Sequence, residues 1–329
     1  MFSLILLVLA VVAWNYYQYV RFEKERKLVN GTDGKPSECL SNKNVVITGA
    51  SSGIGLQLAR HYAAKGKKNK LVLAARNIEQ LEKIKSDILK EFQDNSPEVF
   101  CVKTDVSVED ECKQLIEQSL QLLNERIDVI YLNAGRSSVQ TLKAATSLDG
   151  HRSLMETNFF GCVAPTFYLL PHLREKQQSH CAICVVSSLA GLNGVPYRTA
   201  YSSSKFALHG FYEALKLELM QEGIYGKKVS LFMVCPGFVQ TEIHFNALGT
   251  ENKDRSSIKR DLKEFMTVEE CVDRMVTNVE GRYGSFLYIV PYTERFLLQY
   301  IRPWMPSFLI DKIVLSKGGS VQIESDKSQ

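Results

Sequence analysis

From Asn44 to Lys65 the chain reads "NVVITGASSGIGLQLARHYAAK". A β-branched run leads into a turn with three glycines, and a helix-patterned segment follows at once. Few folds accept that order. Glycine lets a backbone turn without a Cβ penalty and approach a ligand closely. The helix N-terminus after it offers unpaired N–H groups and the positive end of a dipole, which together suit the pyrophosphate of a dinucleotide at the first βα turn of a doubly wound sheet. Thr48, Gly49, Ser51, Ser52, Gly53, Ile54 and Gly55 are the candidate contacts in this turn.

The alternation then repeats. "KLVLAAR", "VFCVKTDV", "DVIYLNAG", "CAICVVSS" and "KVSLFMVCPG" read as strands, and helical patterns separate them, the longest from about Asp149 to Leu173. Strands alternating with helices of ten or more residues specify a parallel sheet covered on both faces. Near-continuous apolar strands agree, since such strands are buried on both sides. The expected fold is α/β, a doubly wound parallel sheet of Rossmann type forming a single domain over residues 43–290. The polar stretch 243–263 reads as a lid within it, and Thr267 with Glu270 as a capping box opening a further helix. Residues 291–329 form an apolar extension and a tail, loose over its last 14 or so residues.

A chain of 329 residues with 45% hydrophobic and 23% charged residues is globular in composition. Forty basic against 36 acidic residues leave a net charge of +4, too balanced for nucleic acid to be the main partner. The eight cysteines read as buried free thiols, because several lie in apolar runs and a chain this long builds a core without disulfides. Cys181 and Cys184 form a C-x-x-C, but inside a strand, where i and i+3 face opposite ways. The six histidines show no metal-ligand spacing, and no metal is expected.

Met1 to Val20 carry no charged side chain, and Trp14, Tyr16, Tyr17 and Tyr19 cluster near the end of this run. As a helix it would span about 30 Å, the thickness of a bilayer core. It reads as an uncleaved membrane anchor (1–20) followed by a linker (21–42); a signal peptide cut near Ala13 is the competing reading, although no basic residue precedes the apolar run. Arg21, Lys24, Arg26 and Lys27 follow it, which by the positive-inside rule leaves the rest of the chain in the cytosol. The endoplasmic reticulum is the expected membrane. Ser285 to Leu315 is aromatic and apolar, and two readings stand for it: core and dimer packing, or a patch docking on the membrane.

Two constellations carry chemistry. The second strand ends in Ala75-Arg76-Asn77, with no acidic residue to meet a ribose 2′-hydroxyl; Arg76 stands where it would pair with a 2′-phosphate, which points to NADP(H) over NAD(H). Farther on, Tyr201 and Lys205 lie four residues apart on one helix face. A lysine ammonium beside a phenol favours the phenolate, the help that a tyrosine needs for acid–base work near neutral pH. Ser188 stands at a strand end thirteen residues before Tyr201.

"TGASSGIG" (48–55), "NAG" (133–135), Asn158, Ser188 with Tyr201 and Lys205, and "PGFVQT" (236–241) occur in this order, and in them the chain resembles the short-chain dehydrogenases/reductases over about residues 43–290. With the N-terminal anchor, "LAAR", "VVSSLAG" and "AYSSSKFALHGF" most resemble the membrane-bound branch of 11-beta-hydroxysteroid dehydrogenases and dehydrogenase/reductase member 7-type proteins. The resemblance implies that Tyr201 protonates a carbonyl oxygen, that Ser188 hydrogen-bonds it, that Lys205 assists Tyr201 and holds the nicotinamide ribose, and that Asn158 positions a water leading from Lys205 to solvent. It implies further that Asp105 and Val106 meet the adenine edge, that Asn133, Ala134 and Gly135 brace the adenosine side, and that Pro236, Gly237 and Thr241 shape the nicotinamide pocket. Two departures stand out: Leu132 replaces a second Asn before "NAG", and Ser51 and Ser52 stand where many NADP-preferring members carry a basic residue, leaving Arg76 to meet the phosphate nearly alone.

The expected function is a membrane-anchored, NADP(H)-dependent oxidoreductase acting on a lipophilic carbonyl or alcohol (steroid, retinoid or long-chain), with reduction the favoured direction. A homodimer is implied by resemblance alone. The rival is a catalytically silent nucleotide-binding scaffold at a membrane, against which the intact Ser188, Tyr201, Lys205 and Asn158 argue.

Overall fold

The computed structural model describes residues 38–177, 179–241, 243, 265–281, 286–289 and 305–318, together with Ala13, Tyr17, Val20 and Lys24. Most of the expected anchor, linker and lid, and the end of the chain, lie outside the described residues. Among the described residues no helix is long and apolar enough to cross a membrane.

In chain order the elements are β1 (Asn44–Thr48), α1 (Gly53–Lys65), β2 (Lys70–Ala75), α2 (Ile78–Glu91), β3 (Glu98–Lys103), α3 (Glu109–Leu122), β4 (Val129–Leu132), α4 (Asp149–Met155), α5 (Gly161–Glu175), β5 (Cys181–Val186), α6 (Thr199–Gln221), β6 (Val229–Pro236), α7 (Val268–Glu280), β7 (Phe286–Ile289) and α8 (Ser307–Gly318). The strands form one parallel sheet in the order β3-β2-β1-β4-β5-β6-β7. The order reverses between β1 and β4, so a crevice opens beyond their C-terminal ends, where ligands bind in sheets of this kind.

The two-residue period of the strands divides the core in two. Val45, Ile47, Tyr131, Cys184, Val186, Phe232 and Val234 pack on one face, against Leu58 and Tyr62 of α1, Leu81 and Ile88 of α2, and Val272 and Met275 of α7. Val46, Ile130, Cys181, Ile183, Val185, Leu231 and Met233 pack on the other, against Leu115 of α3, Leu169 and Leu173 of α5, and Leu208, Leu215 and Leu219 of α6. Cys181 and Cys184 thus lie on opposite faces. Six of the eight cysteines are buried, as expected; Cys39 is exposed and Cys101 half-buried.

Three features depart from the sequence-based expectations. The long helix from Asp149 is interrupted: Glu156–Phe160 form a π-helical turn between α4 and α5, a widening found often at functional sites. No strand is expected in the apolar stretch after Ser285, but β7 pairs with β6 from Met233↔Phe286 to Pro236↔Ile289, which for these four residues agrees with the reading as core. The supposed loose tail begins as helix, because α8 runs to Gly318. At α7 the Thr267 hydroxyl accepts the Glu270 N–H at 3.1 Å as expected for a cap, while the Glu270 carboxylate pairs with Arg274 at 2.6 Å.

His61 of α1 is buried, and its Nε2 finds no hydrogen-bond partner among the described residues. Burial, helped by the nearby Lys65 charge, lowers its pKa to about 4. The unfolded imidazole titrates near about 6.5, so between those values the unfolded chain binds more protons. The stability this contributes is complete above pH 6.5 and is lost as pH falls toward 4. His61→Leu is expected to remove about 2 kcal/mol of the stability loss between pH 7 and pH 5. Urea unfolding of both proteins at the two pH values checks this, and equal pH dependence would refute it.

Candidate active site

The crevice is built where β1 and β4 end. The Thr48 hydroxyl accepts the N–H groups of Asn133 and Ala134 at 3.0 and 3.1 Å. Asn133 answers by donating its side-chain amide to the Thr48 and Gly49 carbonyls at 3.0 and 3.4 Å. The turn is therefore stapled to the strand beside it. Gly49 has φ +67°, and a Cβ there would fall 2.8 Å from Ala134 Cα; a Cβ at Gly55 would overlap the Gly49 carbonyl. Gly53 also has positive φ, +52°, and faces the Thr241 methyl. Ser51, Ser52 and Ile54 complete the turn. Ser52, the N-cap of α1, makes no side-chain cap, and the first helical turn has no acidic residue. A backbone cradle without side-chain bulk, opening onto uncapped N–H groups, fits a dinucleotide diphosphate.

Arg76 follows β2 and is exposed. Asp105 lies two residues past the end of β3, the strand beside β2. Burial works against its charge, but bonds from the Ser107 hydroxyl and N–H, at 2.7 and 3.0 Å, and the guanidinium groups of Arg76 and Arg136 prevail and hold the carboxyl below the usual range. Val106 is buried against Gly161, the first residue of α5, where a Cβ would fall 2.8 Å from its methyl. Pro236 ends β6 buried beside β7, and Gly237 follows half-buried.

On α6, Tyr201 and Lys205 are both buried, with Lys205 Nζ 5.9 Å from the Tyr201 ring centroid. Lys205 donates to the Val186 carbonyl at 2.7 Å. Ser188 is extended as the chain leaves β5, and its hydroxyl oxygen accepts the Ala190 N–H at 3.2 Å. Asn158 sits in the π turn, fully buried. Its Oδ1 accepts the Arg136 N–H at 2.8 Å, and its Nδ2 donates to the Arg136 carbonyl and the Ser204 hydroxyl, each at 2.9 Å. Gly135 lies between them: a Cβ there would be 3.2 Å from Asn158 Oδ1 and 3.7 Å from Lys205 Nζ. The structure thus brings β4, the π turn and α6 together at one point.

Residues 43–252 match the model of the short chain dehydrogenases. The chain belongs to the short-chain dehydrogenase family. This is a family of oxidoreductases that use nicotinamide cofactors. Among its relatives, a dehydrogenase/reductase SDR family protein 7-like from Dictyostelium discoideum is 34% identical over 86% of this chain and 87% of its own. An 11-beta-hydroxysteroid dehydrogenase A from Sesamum indicum is 36% identical over 80% and 70%. The human dehydrogenase/reductase SDR family member 7 is 31% identical over 89% and 83%. Together they set the chain in the branch of these two groups. The fold is shared with a solved short chain dehydrogenase/reductase from Burkholderia phymatum in complex with NAD (TM-score 0.66, 23% identity, 81% of this chain and 96% of that one).

Five residues near this short-chain dehydrogenase site are given no role by the sequence reading: Arg136, Ser187, Arg198, Ser204 and His209, although Ser187, Ser204 and His209 lie within "VVSSLAG" and "AYSSSKFALHGF". Arg198 is buried, donates to the Ser137 hydroxyl at 2.8 Å, and sets its guanidinium carbon 5.9 Å from the Tyr201 ring centroid. Ser204 and His209 could have been suspected from their spacing with Tyr201 and Lys205 on the helix; Arg136 and Arg198 carried no such signal.

Gly55→Ala is expected to weaken binding of a nicotinamide dinucleotide at least about tenfold, because the added methyl meets backbone that cannot yield. Gly210→Ala is the control: nothing lies within 4 Å of a Cβ there, and removing a helical glycine should stabilise by about 0.5–1 kcal/mol. Calorimetric titration with NADH and NADPH and thermal melts of both variants check the pair.

Proposed function

We propose that this short-chain dehydrogenase is an NADP(H)-dependent oxidoreductase interconverting a carbonyl and an alcohol on a lipophilic substrate, with reduction the working direction. The observation that carries the reading is the buried Tyr201–Lys205 pair of α6, facing Gly135 and Asn158 beside the glycine cradle. The backbone of Gly49–Gly55 would hold the diphosphate, Asp105 and Val106 the adenine edge, and Arg76 the 2′-phosphate. When bound, the dinucleotide supplies or accepts the hydride.

The Tyr201 hydroxyl gives its proton to the substrate oxygen in reduction and takes it back in oxidation. Ser188 steadies the same oxygen: its own oxygen is engaged by the Ala190 N–H, so its proton is the part left to donate. Lys205 spends one N–H on the Val186 carbonyl; the other two are available to the ribose and to the proton path. Asn158, with both amide groups bonded, holds Arg136 and Ser204 in place around Lys205. Pro236, Gly237 and Thr241 flank the nicotinamide side.

A lipophilic substrate is supported by the Phe238–Phe265 stack beside this wall, ring centroids 5.0 Å apart, and by the kinship with proteins named as 11-beta-hydroxysteroid dehydrogenases. The apolar run Met1–Val20 supports a membrane anchor, for which we propose the endoplasmic reticulum, and Arg21, Lys24, Arg26 and Lys27 after it support the cytosolic side for the domain. Exposed Phe160, Phe167, Phe206, Leu217 and Met220 on α5, α6 and the π turn support a homodimer.

The test is NADPH oxidation by the detergent-solubilised protein with ketosteroid, retinal and long-chain aldehyde panels. Tyr201→Phe is expected to lower kcat by about 100-fold or more with NADPH affinity unchanged. Turnover surviving in that variant would overturn the assignment; NADPH binding without turnover by the unaltered protein would favour the scaffold. Arg76→Glu should weaken NADPH at least about tenfold and leave NADH unaffected. Equal effects on both dinucleotides would remove Arg76 from the phosphate.

A further inference from the structure

α6 continues beyond its tyrosine and lysine. His209 lies one turn past Lys205, buried, and its Nε2 is 2.9 Å from the hydroxyl of Ser187. Ser187 is the residue before Ser188. Its own N–H donates to the Val234 carbonyl of β6 at 2.8 Å, the last rung before the chain leaves the sheet. Lys205 meanwhile bonds the carbonyl of Val186, one residue earlier. Successive turns of α6 therefore grip successive residues at the end of β5. Gly191 closes over the same spot: a Cβ there would come within 2.8 Å of the Ser187 hydroxyl, 2.9 Å of the Lys205 carbonyl and 3.0 Å of His209 Nε2.

We infer that His209 and Ser187 form a positioning pair that fixes Ser188 relative to Tyr201 and Lys205 for the transfer step. This rests on the functional reading above. Ser188 and Tyr201 come from different elements, β5 and α6, and must meet the same substrate oxygen. Twelve residues, 189–200, join them along the chain, and this connection includes a short 3-10 turn, Leu189–Gly191. A direct bond across the gap sets their spacing more tightly than that connection can. A neutral imidazole suits the task, since it holds one donor and one acceptor in a fixed plane. Burial and the Lys205 charge keep His209 neutral, with its pKa lowered to about 4, so the bond is constant through the neutral range. The Cys235 thiol, 3.9 Å from the same nitrogen, borders the imidazole from β6.

Small displacements of reacting groups carry large rate costs, up to about 100-fold per ångström. His209→Leu and Ser187→Ala are each expected to lower kcat about tenfold with NADPH affinity unchanged, and the double variant to lose no more than either alone. His209→Gln, whose amide nitrogen reaches close to the Nε2 position, should restore most of the rate. The measurements are kcat and KM with whichever ketosteroid, retinal or long-chain aldehyde the unaltered protein reduces, NADPH titration, and melting temperature for all four variants. A lowered melting temperature with unchanged kcat makes the pair merely structural and overturns the inference. So do additive losses in the double variant, or a Gln variant as slow as Leu. Absence of turnover in the unaltered protein overturns the functional reading itself, and the inference with it. Turnover there with an unaffected His209→Leu protein overturns the inference alone.

Discussion

The Thr48 hydroxyl takes two N–H groups from the Asn133–Ala134 backbone, and the Asn133 amide returns bonds to Thr48 and Gly49. This reciprocal staple between the ends of β1 and β4 is the constraint on which the site depends. It brings the Gly49 and Ala134 backbones so close that Gly49 has no room for a Cβ, and it sets the Asn133 amide where, with the Gly49 carbonyl, it excludes one at Gly55. It holds the α1 N-terminus open at the topological switch of the sheet. It also starts the Gly135–Arg136 segment in the direction that meets Asn158. A parallel sheet can present such a crevice because its strands all point the same way, so the loops that follow them gather at one edge.

The second organising element is α6. Its length of 23 residues lets one helix carry Tyr201, Lys205 and His209 at successive turns along a face pressed against the end of β5. The π turn at Glu156–Phe160 works from the opposite side. An α-helix running unbroken from Asp149 would have kept a uniform turn at Asn158; the widened turn instead accompanies a side chain whose bonds all go to the β4 loop and α6. Rigid elements on three sides, rather than loops, define the positions of the polar groups. Such support favours a site whose geometry is set before substrate arrives.

A different linkage ties the back of the molecule together. Tyr62 of α1 donates to the Glu280 carboxylate of α7 at 2.9 Å and meets the hydroxyl of Tyr131 at the same distance, while Lys43 pairs with Glu280 at 2.7 Å. Burial, with the Glu280 charge nearby, pushes Tyr62 well above the ordinary phenol value, so the hydroxyl keeps its proton to donate. α7 is in this way fastened to α1, the helix that would receive the diphosphate. A buried carboxylate in such a place is tolerable only because cation and hydroxyl both reach it.

Much of this was legible in the sequence. The β-branched and apolar runs ending in Thr48, Leu132 and Val186 read as strands buried on both faces, because they are short, β-branched and bounded by turn residues. The glycine turn announced itself because its requirement is local: three positions without a Cβ beside a helix start. Tyr201 and Lys205 were readable together because helical spacing alone puts them on one face. Local rules of that kind settled the order of elements, the doubly wound class and the positions of the candidate groups. They did not reach β7, whose four residues become a strand only because β6 leaves an edge to pair with, nor the π turn, nor the bonds of Asn158 to Arg136 and Ser204. Ser187 and His209 lie in two of the quoted runs, but nothing in either run says that they meet, and Glu280 stands 237 residues from its lysine. Those pairings exist because the sheet sets distant segments side by side. Pattern and propensity act between residues a few positions apart, whereas the reach of a hydrogen bond selects partners by position in space, which the chain acquires only by folding.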